Sequence, residues 1–389
     1  MSLFADWRDC SRFRSRASEW QQIVFYAESG QDWHHFAPLI AELTGPLDRS
    51  VCYLTSDPDD VAFAHASVRL SCHHVPAGWA CTLAFKTLQA DVCVLTMMDL
   101  GNFELGRSAH PVHYVYVFHS LGSTHMVDFA DSYDHYDTIM CAGPHQQREI
   151  RQREALAGLA PKRLLPHGSA RLEALIEAGR GLEERPLGTP PTLLVAPTWG
   201  PTSLFARCGP ELVHGLLDAG FRVIARPHYE TVRQAPEVVA SLHARCAGHP
   251  RFEYVDQMSD LDTLLRSDLL VSDWSAVAVE YALALGRPVL FVDVPARVRN
   301  PHYRELGLEP LEIALRTRVG DVLPLDALHE APARIEKLLA DRSGFAERMI
   351  GLRSELVFNL GASARVGARH IARIADEQAR QRWAQSRRV

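Results

Sequence analysis

Residues 269–292 read LLVSDWSAVAVEYALALGRPVLFV and contain the order of elements that decides the fold. A buried-type strand (269–271) is followed by a polar turn (272–275), a helical run (277–285) and a second strand (289–292). This order places hydroxyls and backbone N–H groups at a helix N-terminus, beside the carboxyl end of a strand. Open α/β sheets bind phosphates at such positions. The stretch therefore predicts a site for the diphosphate of a nucleotide.

The composition is that of a soluble globular protein large enough for two domains. The chain has 389 residues, of which 47% are hydrophobic and 23% charged. Its net charge of −6 does not favour nucleic acid as a partner. The eight cysteines include no C-x-x-C pair, which is typical of reduced thiols in a cytoplasmic protein. We expect no membrane span and no signal peptide, because apolar runs are short and the start is rich in arginine.

Alternation of apolar strands with helical runs predicts two Rossmann-like domains that face each other across a cleft, a GT-B-like α/β fold. Residues 179–191 contain three prolines and three glycines and form the predicted linker. The predicted N-terminal, acceptor-side domain is 1–178, and the predicted nucleotide-donor domain is 192–361. A basic helix, 362–389, would follow the second domain. Ligands of such folds bind at the carboxyl ends of the strands.

Both ends of the chain mix aromatic or aliphatic residues with arginines. Residues 1–20 contain two tryptophans and four arginines, and residues 365–389 contain Trp383 among seven arginines. Basic, aromatic helices suit peripheral contact with the inner face of a cytoplasmic membrane. The alternative, which we favour, is a terminal helix packed on the body of the protein with a solvated charged face.

Polar residues that follow predicted strands are the candidate site residues. Arginine and histidine at a strand end suit a diphosphate, because a guanidinium forks onto phosphate oxygens and an imidazole donates a hydrogen bond. A serine at the first turn of a helix offers both an O–H and an N–H to the same anion. The candidates are Thr198, Arg226, His228, Ser272, Asp273, Trp274 and Ser275 in the second half, and Ser29, Gly30, His119 and Ser120 in the first.

The ordered motifs resemble those of the CDP-glycerol glycerophosphotransferases, which build teichoic-acid and capsule polymers. Three motifs carry the resemblance in the second half: Pro197-Thr198-Trp199, Arg226-Pro227-His228 and Ser272-Asp273-Trp274-Ser275. Phe118-His119-Ser120 and Gly168-Ser169-Ala170-Arg171-Leu172 extend it upstream. The resemblance spans roughly residues 110–295. Each motif is short and weak alone, and the specificity comes from the order in which the motifs occur.

The resemblance implies transfer of glycerol phosphate from a CDP-activated donor to a hydroxyl of an envelope polysaccharide or lipid-linked acceptor. It implies that His119 is the general base on that hydroxyl and that His228 binds the donor diphosphate. Ser275 and the helix N-terminus at Trp274 would hold the phosphates, with Arg226 nearby. Such a transfer needs alignment and charge neutralisation, so no cofactor is required, with Mg²⁺ as the alternative.

Four positions depart from the family pattern and keep other functions open. They are Ser120, Gly200, Tyr229 and Ala276. Glu280, in the helix after the phosphate turn, matches the place where sugar-nucleotide enzymes hold a ribose. A glycosyltransferase or a UDP-sugar 2-epimerase is therefore the second hypothesis. A non-catalytic binding domain is the third.

Further clusters of titratable residues are weighed against structural roles. The acidic stretch 128–137 predicts a solvated helix face rather than a metal site. Asp57-Pro58-Asp59 is more typical of a turn than of a metal-binding Asp-x-Asp motif. For His34 and His35, a place in the site and a place in a first helical turn are equally supported. Walker A, His-Glu-x-x-His and zinc-spaced cysteine motifs are missing from the sequence, which argues against NTPases and zinc enzymes.

Overall fold

The computed structural model describes residues 21–98, 100–101, 105–182, 188–256 and 261–386. These residues form two compact units. The first unit comprises the described residues up to Ser120 together with Asp128–Arg171 and those from Val357 onward, and the second comprises Leu121–Val127 and Leu172–Leu356.

Each unit contains one sheet of parallel strands. Strands of the first sheet are β1 (Ile23–Ala27), β2 (Val51–Thr55), β3 (Leu70–His74), β4 (Val92–Leu95), β5 (His113–Val117), β6 (Thr138–Cys141) and β7 (Arg163–Pro166). Strands of the second are β8 (Thr192–Val195), β9 (Arg222–Ala225), β10 (Phe252–Tyr254), β11 (Leu269–Ser272), β12 (Val289–Asp293) and β13 (Gly320–Pro324).

Most connections between these strands contain α-helices, as is usual for parallel pairing. They are α1 (Trp33–Thr44), α2 (Trp79–Lys86), α3 (Pro144–Ala157), α4 (Ala170–Ala178), α5 (Leu204–Asp218), α6 (Tyr229–Gln234), α7 (Pro236–Cys246), α8 (Asp262–Arg266), α9 (Ala276–Leu285), α10 (Leu311–Leu315), α11 (Ala331–Ala340), α12 (Arg342–Leu356) and α13 (Ser363–Ser386). Short 3₁₀ helices lie at Gly30–Asp32, Val61–His65, Tyr303–Leu306 and Leu325–Glu330.

The first sheet has the order β3-β2-β1-β4-β5-β6-β7. All its described pairs are parallel, for example Tyr26 with Leu54 on one side and with Leu95 on the other. The order reverses between β1 and β4, because the chain adds strands outward first on one side and then on the other. Such a switch point leaves a crevice at the carboxyl ends of the two strands, where ligands bind in open α/β sheets.

The second sheet has the order β10-β9-β8-β11-β12-β13 and is also parallel. Its switch point lies between β8 and β11. The polar turn 272–275 therefore follows a strand at the switch point, as the sequence predicts for a phosphate site. Together the two parallel sheets confirm the predicted α/β fold of two Rossmann-like domains.

Helix α13 packs on the first sheet. Its buried residues Ala368, Ile371 and Ile374 lie in the same hydrophobic cluster as Phe36 and Leu39 of α1. Arg382 donates to Asp91, at 2.7 Å, at the start of the sheet. The predicted terminal helix exists and packs on the body of the protein, as in the interpretation we favour, and its apolar face belongs to the core of the first unit.

The division into units also falls at a different place from the predicted linker. It lies between Arg171 and Leu172, so α4 belongs largely to the second unit. Gly179, at the end of α4, approaches α9 so closely that a Cβ there would lie 2.6 Å from Leu285 Cδ2. Close packing of α4 on α9 therefore brings the helix before the Pro-rich segment into the second unit.

Two strands were not predicted from the sequence. β3 contains Ser71, His73 and His74, so its sequence does not read as an apolar run. Its side chains are nevertheless mostly buried. Ser71 Oγ and His73 Nε2 lie 2.6 Å apart, so they satisfy each other inside the sheet. β13 lies at an edge, where Gly320 faces the carbonyl of Val289 so closely that a side chain would clash.

The acidic stretch 128–137 is not the solvated helix face that we expected. It forms consecutive turns. Asp128 is buried and accepts the hydroxyl of Tyr133 at 2.6 Å, and Asp137 forms a bidentate pair with Arg107. Its carboxylates thus hold a folded loop in place.

Among the helices that the structure describes, none is long and apolar enough to span a membrane. Residues 1–20, to which we assigned part of a membrane contact, lie outside the described residues.

Candidate functional site

A cavity of about 560 Å³ lies in the first unit at the switch point of its sheet. It is lined by residues that follow β1, by residues that follow β4 and by the start of α2. The lining residues are Tyr26, Glu28, Gln31, Asp32, His35, Ala77, Gly78, Cys81, Thr96, Met97, Met98, Leu105 and His119. The predicted base His119 thus lies at a concave site of the kind that binds small ligands.

The hydrogen bonds around His119 determine which ring nitrogen carries the proton. Thr96 donates its hydroxyl proton to the carbonyl of Val117 at 3.0 Å. Thr96 Oγ1 also lies 3.0 Å from His119 Nδ1. With the Thr96 hydroxyl proton assigned to Val117, its oxygen acts as acceptor, and this arrangement favours Nδ1–H of His119 as the donor in the second bond; Tyr116 OH lies 3.4 Å from the same nitrogen. Nε2 then carries the lone pair, as a general base requires.

His119 and His35 are neighbours in the cavity and are both held neutral. Their ring centroids are 5.8 Å apart. Burial lowers the pKa of His119, and the nearby Arg171 lowers it further. Burial, followed by His119 and Arg171, lowers the pKa of His35 well below its ordinary value. A pair of neutral imidazoles at neutral pH can accept protons or bind hydroxyls. The structure thus places His35 in the site, whereas His34 is exposed.

Asp32 makes one wall of the cavity acidic. Burial raises the pKa of its carboxyl, although the N–H groups of Ser29 and Glu28 counteract this by donating to it. Glu28 adds a second, more exposed carboxyl to the lining. Carboxylates beside neutral imidazoles suit a ligand rich in hydroxyl groups.

Three residues assigned to the acceptor side are near the cavity but do not line it. Gly30 donates its N–H to Asp57 Oδ2 at 2.9 Å, and Asp57 also accepts from Asp59. This arrangement confirms the turn expected for Asp57-Pro58-Asp59. Ser29 begins the short 3₁₀ helix, and the carbonyl of Ser120 accepts from Gln146. Their roles in acceptor binding stay predictions.

In the second unit, Asp273 joins the ends of strands at the switch point. It accepts the N–H of Thr198 at 2.7 Å, the hydroxyl of Thr198 at 3.1 Å, and the N–H groups of Leu204 and Trp274 at 2.9 and 2.7 Å. The carboxylate is fully buried. Asp273 therefore positions the loops after β8 and β11 rather than presenting its own oxygens to a ligand.

Ser272 and Trp274, both assigned to donor binding, point into the protein. Ser272 is buried and donates to the carbonyl of Ala196 at 2.8 Å. Trp274 donates its backbone N–H to Asp273 and its indole N–H to the carbonyl of Val294. Both N–H groups of Trp274 are therefore engaged within the protein, and a role of Trp274 in donor binding stays a prediction.

Ser275 begins α9 and keeps the geometry that the sequence predicts. It is the extended residue before the helix, and its hydroxyl caps no backbone N–H of α9. The residues of the first turn, Ala276 and Val277, are half-buried. Donors at this helix start are placed to meet an anion. Glu280, one turn further, is buried within α9, and its contact with a ribose stays a prediction.

Arg226 and His228 follow β9 but differ in burial and in their hydrogen bonds. Arg226 is buried and donates from Nη1 to Thr263 Oγ1 at 2.7 Å, and its binding of a phosphate stays a prediction. His228 is half-buried, and its Nδ1 accepts the N–H of Glu230 at 3.2 Å. The neutral ring therefore carries its proton on Nε2. Burial, followed by Arg297, lowers the pKa of His228 to about 4, so it is an uncharged N–H donor at neutral pH.

Sequence reasoning missed the partners that fix these groups. Thr96, which sets the tautomer of His119, follows a buried strand, and a polar residue at that position is a usable signal. Arg297 contacts the ring of Trp199 and acts on His228, but it lies in an irregular segment after β12 with no motif around it. Within the described parts of the chain, no three His, Cys, Asp or Glu side chains are grouped to bind a metal ion.

The fold and the two switch-point sites define a two-domain α/β enzyme of the GT-B-like class. Residues 120–296, just under half of the chain, match the model of the family described as CDP-glycerol:poly(glycerophosphate) glycerophosphotransferase. This match confirms the resemblance drawn from the motifs, and the chain is a glycerophosphotransferase-like enzyme. A comparison with curated protein sequences gives no significant match.

Solved structures with similar folds come from several kinds of enzyme. The wall teichoic acid polymerase TagF, soaked with CDPG, has a TM-score of 0.58 and 13% identity, over 97% of this chain and 100% of that chain. UDP-GlcNAc 2-epimerase from Neisseria meningitidis has a TM-score of 0.59 and 9% identity, over 90% and 100%. MnaA of S. aureus, solved with UDP, has a TM-score of 0.54 and 11% identity, over 89% of this chain and 94% of that chain. At these identities the likeness shows the fold alone.

Proposed function

We propose that this enzyme transfers glycerol phosphate, or a related phospho-polyol, from a CDP-activated donor to a hydroxyl of an envelope polysaccharide or a lipid-linked acceptor. The family match over residues 120–296 carries this proposal. The matched region includes the helix start at Ser275 and the strand end at His228, where donors of hydrogen bonds are available to a diphosphate.

In the proposed reaction, the acceptor hydroxyl attacks the phosphorus that bears glycerol. The new P–O bond forms as the bond from that phosphorus to the bridging oxygen breaks, and CMP leaves with this oxygen. The hydroxyl proton moves to Nε2 of His119, the nitrogen that carries the lone pair. His228 donates its Nε2–H to the phosphates, and the N–H groups at the start of α9 add further positive potential.

We also propose that a divalent metal is not required, because fixed N–H donors and cations can balance the charge of the diphosphate. The measurement is the rate of transfer in excess EDTA. A rate equal to that without chelator supports this part, and a loss that Mg²⁺ restores overturns it.

The products distinguish the proposed reaction from the nucleotide-sugar alternative, which the departures at Tyr229 and Ala276 and the buried Glu280 favour. We would incubate the enzyme with CDP-glycerol and an acylated glycerol-phosphate or disaccharide primer and follow ³¹P NMR. The proposal predicts that CMP and a new phosphodiester signal appear together. No turnover of CDP-glycerol, with conversion of UDP-GlcNAc instead, would contradict it.

Membrane contact is the remaining part of the proposal. We propose that residues 1–20 and the exposed end of α13 around Trp383 bind an anionic bilayer surface. The apolar face of α13 packs in the core, so the test must spare it. Liposome flotation would compare three proteins: the full chain, a chain lacking residues 1–20, and the full-length variant Trp383→Ala. Unchanged flotation of both variants would overturn this contact.

A further inference from the structure

The proposed donor site needs positive charge close to the diphosphate. Both phosphates of a nucleoside diphosphate donor are ionised at neutral pH, and charge accumulates on CMP as it leaves. His228 contributes an N–H but no charge, because its pKa is about 4. Arg226, the arginine of the motif, is buried and donates to Thr263. Arg316 is buried over the ring of Trp274 and is paired with Asp293 at 2.7 Å.

Arg297 lies beside these groups and is half-buried. Its guanidinium carbon is 4.3 Å from the ring centroid of Trp199. The Trp199 ring is in turn 6.1 Å from the ring of His228. Arg297 also acts on His228 electrostatically, which places its charge close to the imidazole. The ring of Trp199 therefore lies next to both the guanidinium of Arg297 and the neutral imidazole of His228.

Both sides of the contact between Arg297 and Trp199 are tied to the polar turn before α9. Thr198, the residue before Trp199, donates twice to Asp273. The indole of Trp274 donates to the carbonyl of Val294, three residues before Arg297. The arrangement of the guanidinium is thus fixed relative to the start of α9, where a phosphate would bind.

We propose that Arg297, held against Trp199, is the cation that binds the diphosphate of the donor beside His228 and the start of α9. This inference rests on the proposed function and adds a residue that lies just beyond the family match. A guanidinium stacked on an indole keeps its N–H donors in the plane of the fork, where they can bind two phosphate oxygens together. A lysine at this position would keep the charge but lose the fork.

Calorimetry with CDP and with cytidine tests the assignment, using Arg297→Gln and Arg297→Lys. Arg304→Gln is the matched control, because Arg304 also lies over an aromatic ring, that of Tyr303, in the same unit. We expect Arg297→Gln to weaken CDP binding about 10- to 100-fold and Arg297→Lys to weaken it less. Cytidine, which lacks phosphate, should bind all variants equally, and Arg304→Gln should match the wild type.

A second readout needs no ligand. If Arg297 lies beside His228, Arg297→Gln should raise the pKa of His228, measured by NMR titration, and Arg304→Gln should leave it unchanged. CDP binding by Arg297→Gln equal to the wild type would overturn the inference and leave the proposed function intact. Equal losses of CDP and cytidine would overturn it as well, since they indicate a structural defect. Failure of the wild type to bind any cytidine nucleotide would overturn the proposed function itself.

Discussion

Thr96→Val removes the side-chain oxygen that accepts the Nδ1 proton of His119 at 3.0 Å. The lost bond contributes about 1 kcal/mol to keeping the lone pair on Nε2, which corresponds to about a fivefold fall in kcat/KM for transfer. Valine keeps the volume of threonine and the backbone contact of residue 96, so the loss should stay below tenfold. Thr96→Ser retains the hydroxyl and should match the wild type.

His119→Asn removes Nε2 and with it the proposed base. A positioned general base contributes about 10²- to 10⁴-fold, so we expect a loss of that size in CMP release from CDP-glycerol in the presence of acceptor. Affinity for CDP, measured by calorimetry, should not change. The wild-type rate should rise with pH through the lowered pKa of His119, below about 6.5, and stay level at neutral pH. Retention of more than a tenth of the activity by His119→Asn would refute the assignment of the base.

Three further predictions concern the framework of the site. Asp273→Asn replaces one of two carboxylate oxygens that accept four hydrogen bonds, so we expect about 2–3 kcal/mol lower stability in urea unfolding; a change below 0.5 kcal/mol would contradict its positioning role. A Cβ at Gly367 would lie 2.5 Å from His167 Nδ1, so Gly367→Ala should lower stability by about 1–3 kcal/mol, whereas Gly351→Ala, which meets open space, should not. Burial lowers the pKa of His167 to about 4, so the unfolded chain binds more protons between pH 4 and 6.5 and stability falls as pH drops through this window; an unchanged slope in His167→Gln would contradict the assignment to His167.

Most strands could be predicted because they are buried on both faces and therefore read as continuous apolar runs. β1 and β4 are examples, with every residue buried. β3 could not be recognised, because Ser71 and His73 are polar and satisfy each other only once the strand is formed. Packing of α13 on the body of the protein could be predicted, but not that its partner is the first unit, since helical periodicity shows an apolar face and not what it contacts.

The position of the site could be predicted, whereas the side chains that act there could be predicted only in part. Polar residues after parallel strands meet at one edge of a sheet, so Ser275 and His228 follow from chain order. Whether a polar side chain faces a ligand or the protein depends on partners far away in the sequence. Asp273 and Arg226 are bound inward by Thr198 and Thr263, and no local pattern distinguishes them from exposed residues.

Competitive calorimetry with cytidine and uridine nucleotides tests the central claim most directly. The full chain would be titrated with CDP-glycerol, CDP, UDP and UDP-GlcNAc under the same conditions. We predict binding of CDP-glycerol and CDP, tightest for CDP-glycerol, and at least tenfold weaker binding of UDP and UDP-GlcNAc. Tighter binding of UDP-GlcNAc than of CDP-glycerol would contradict the proposed donor.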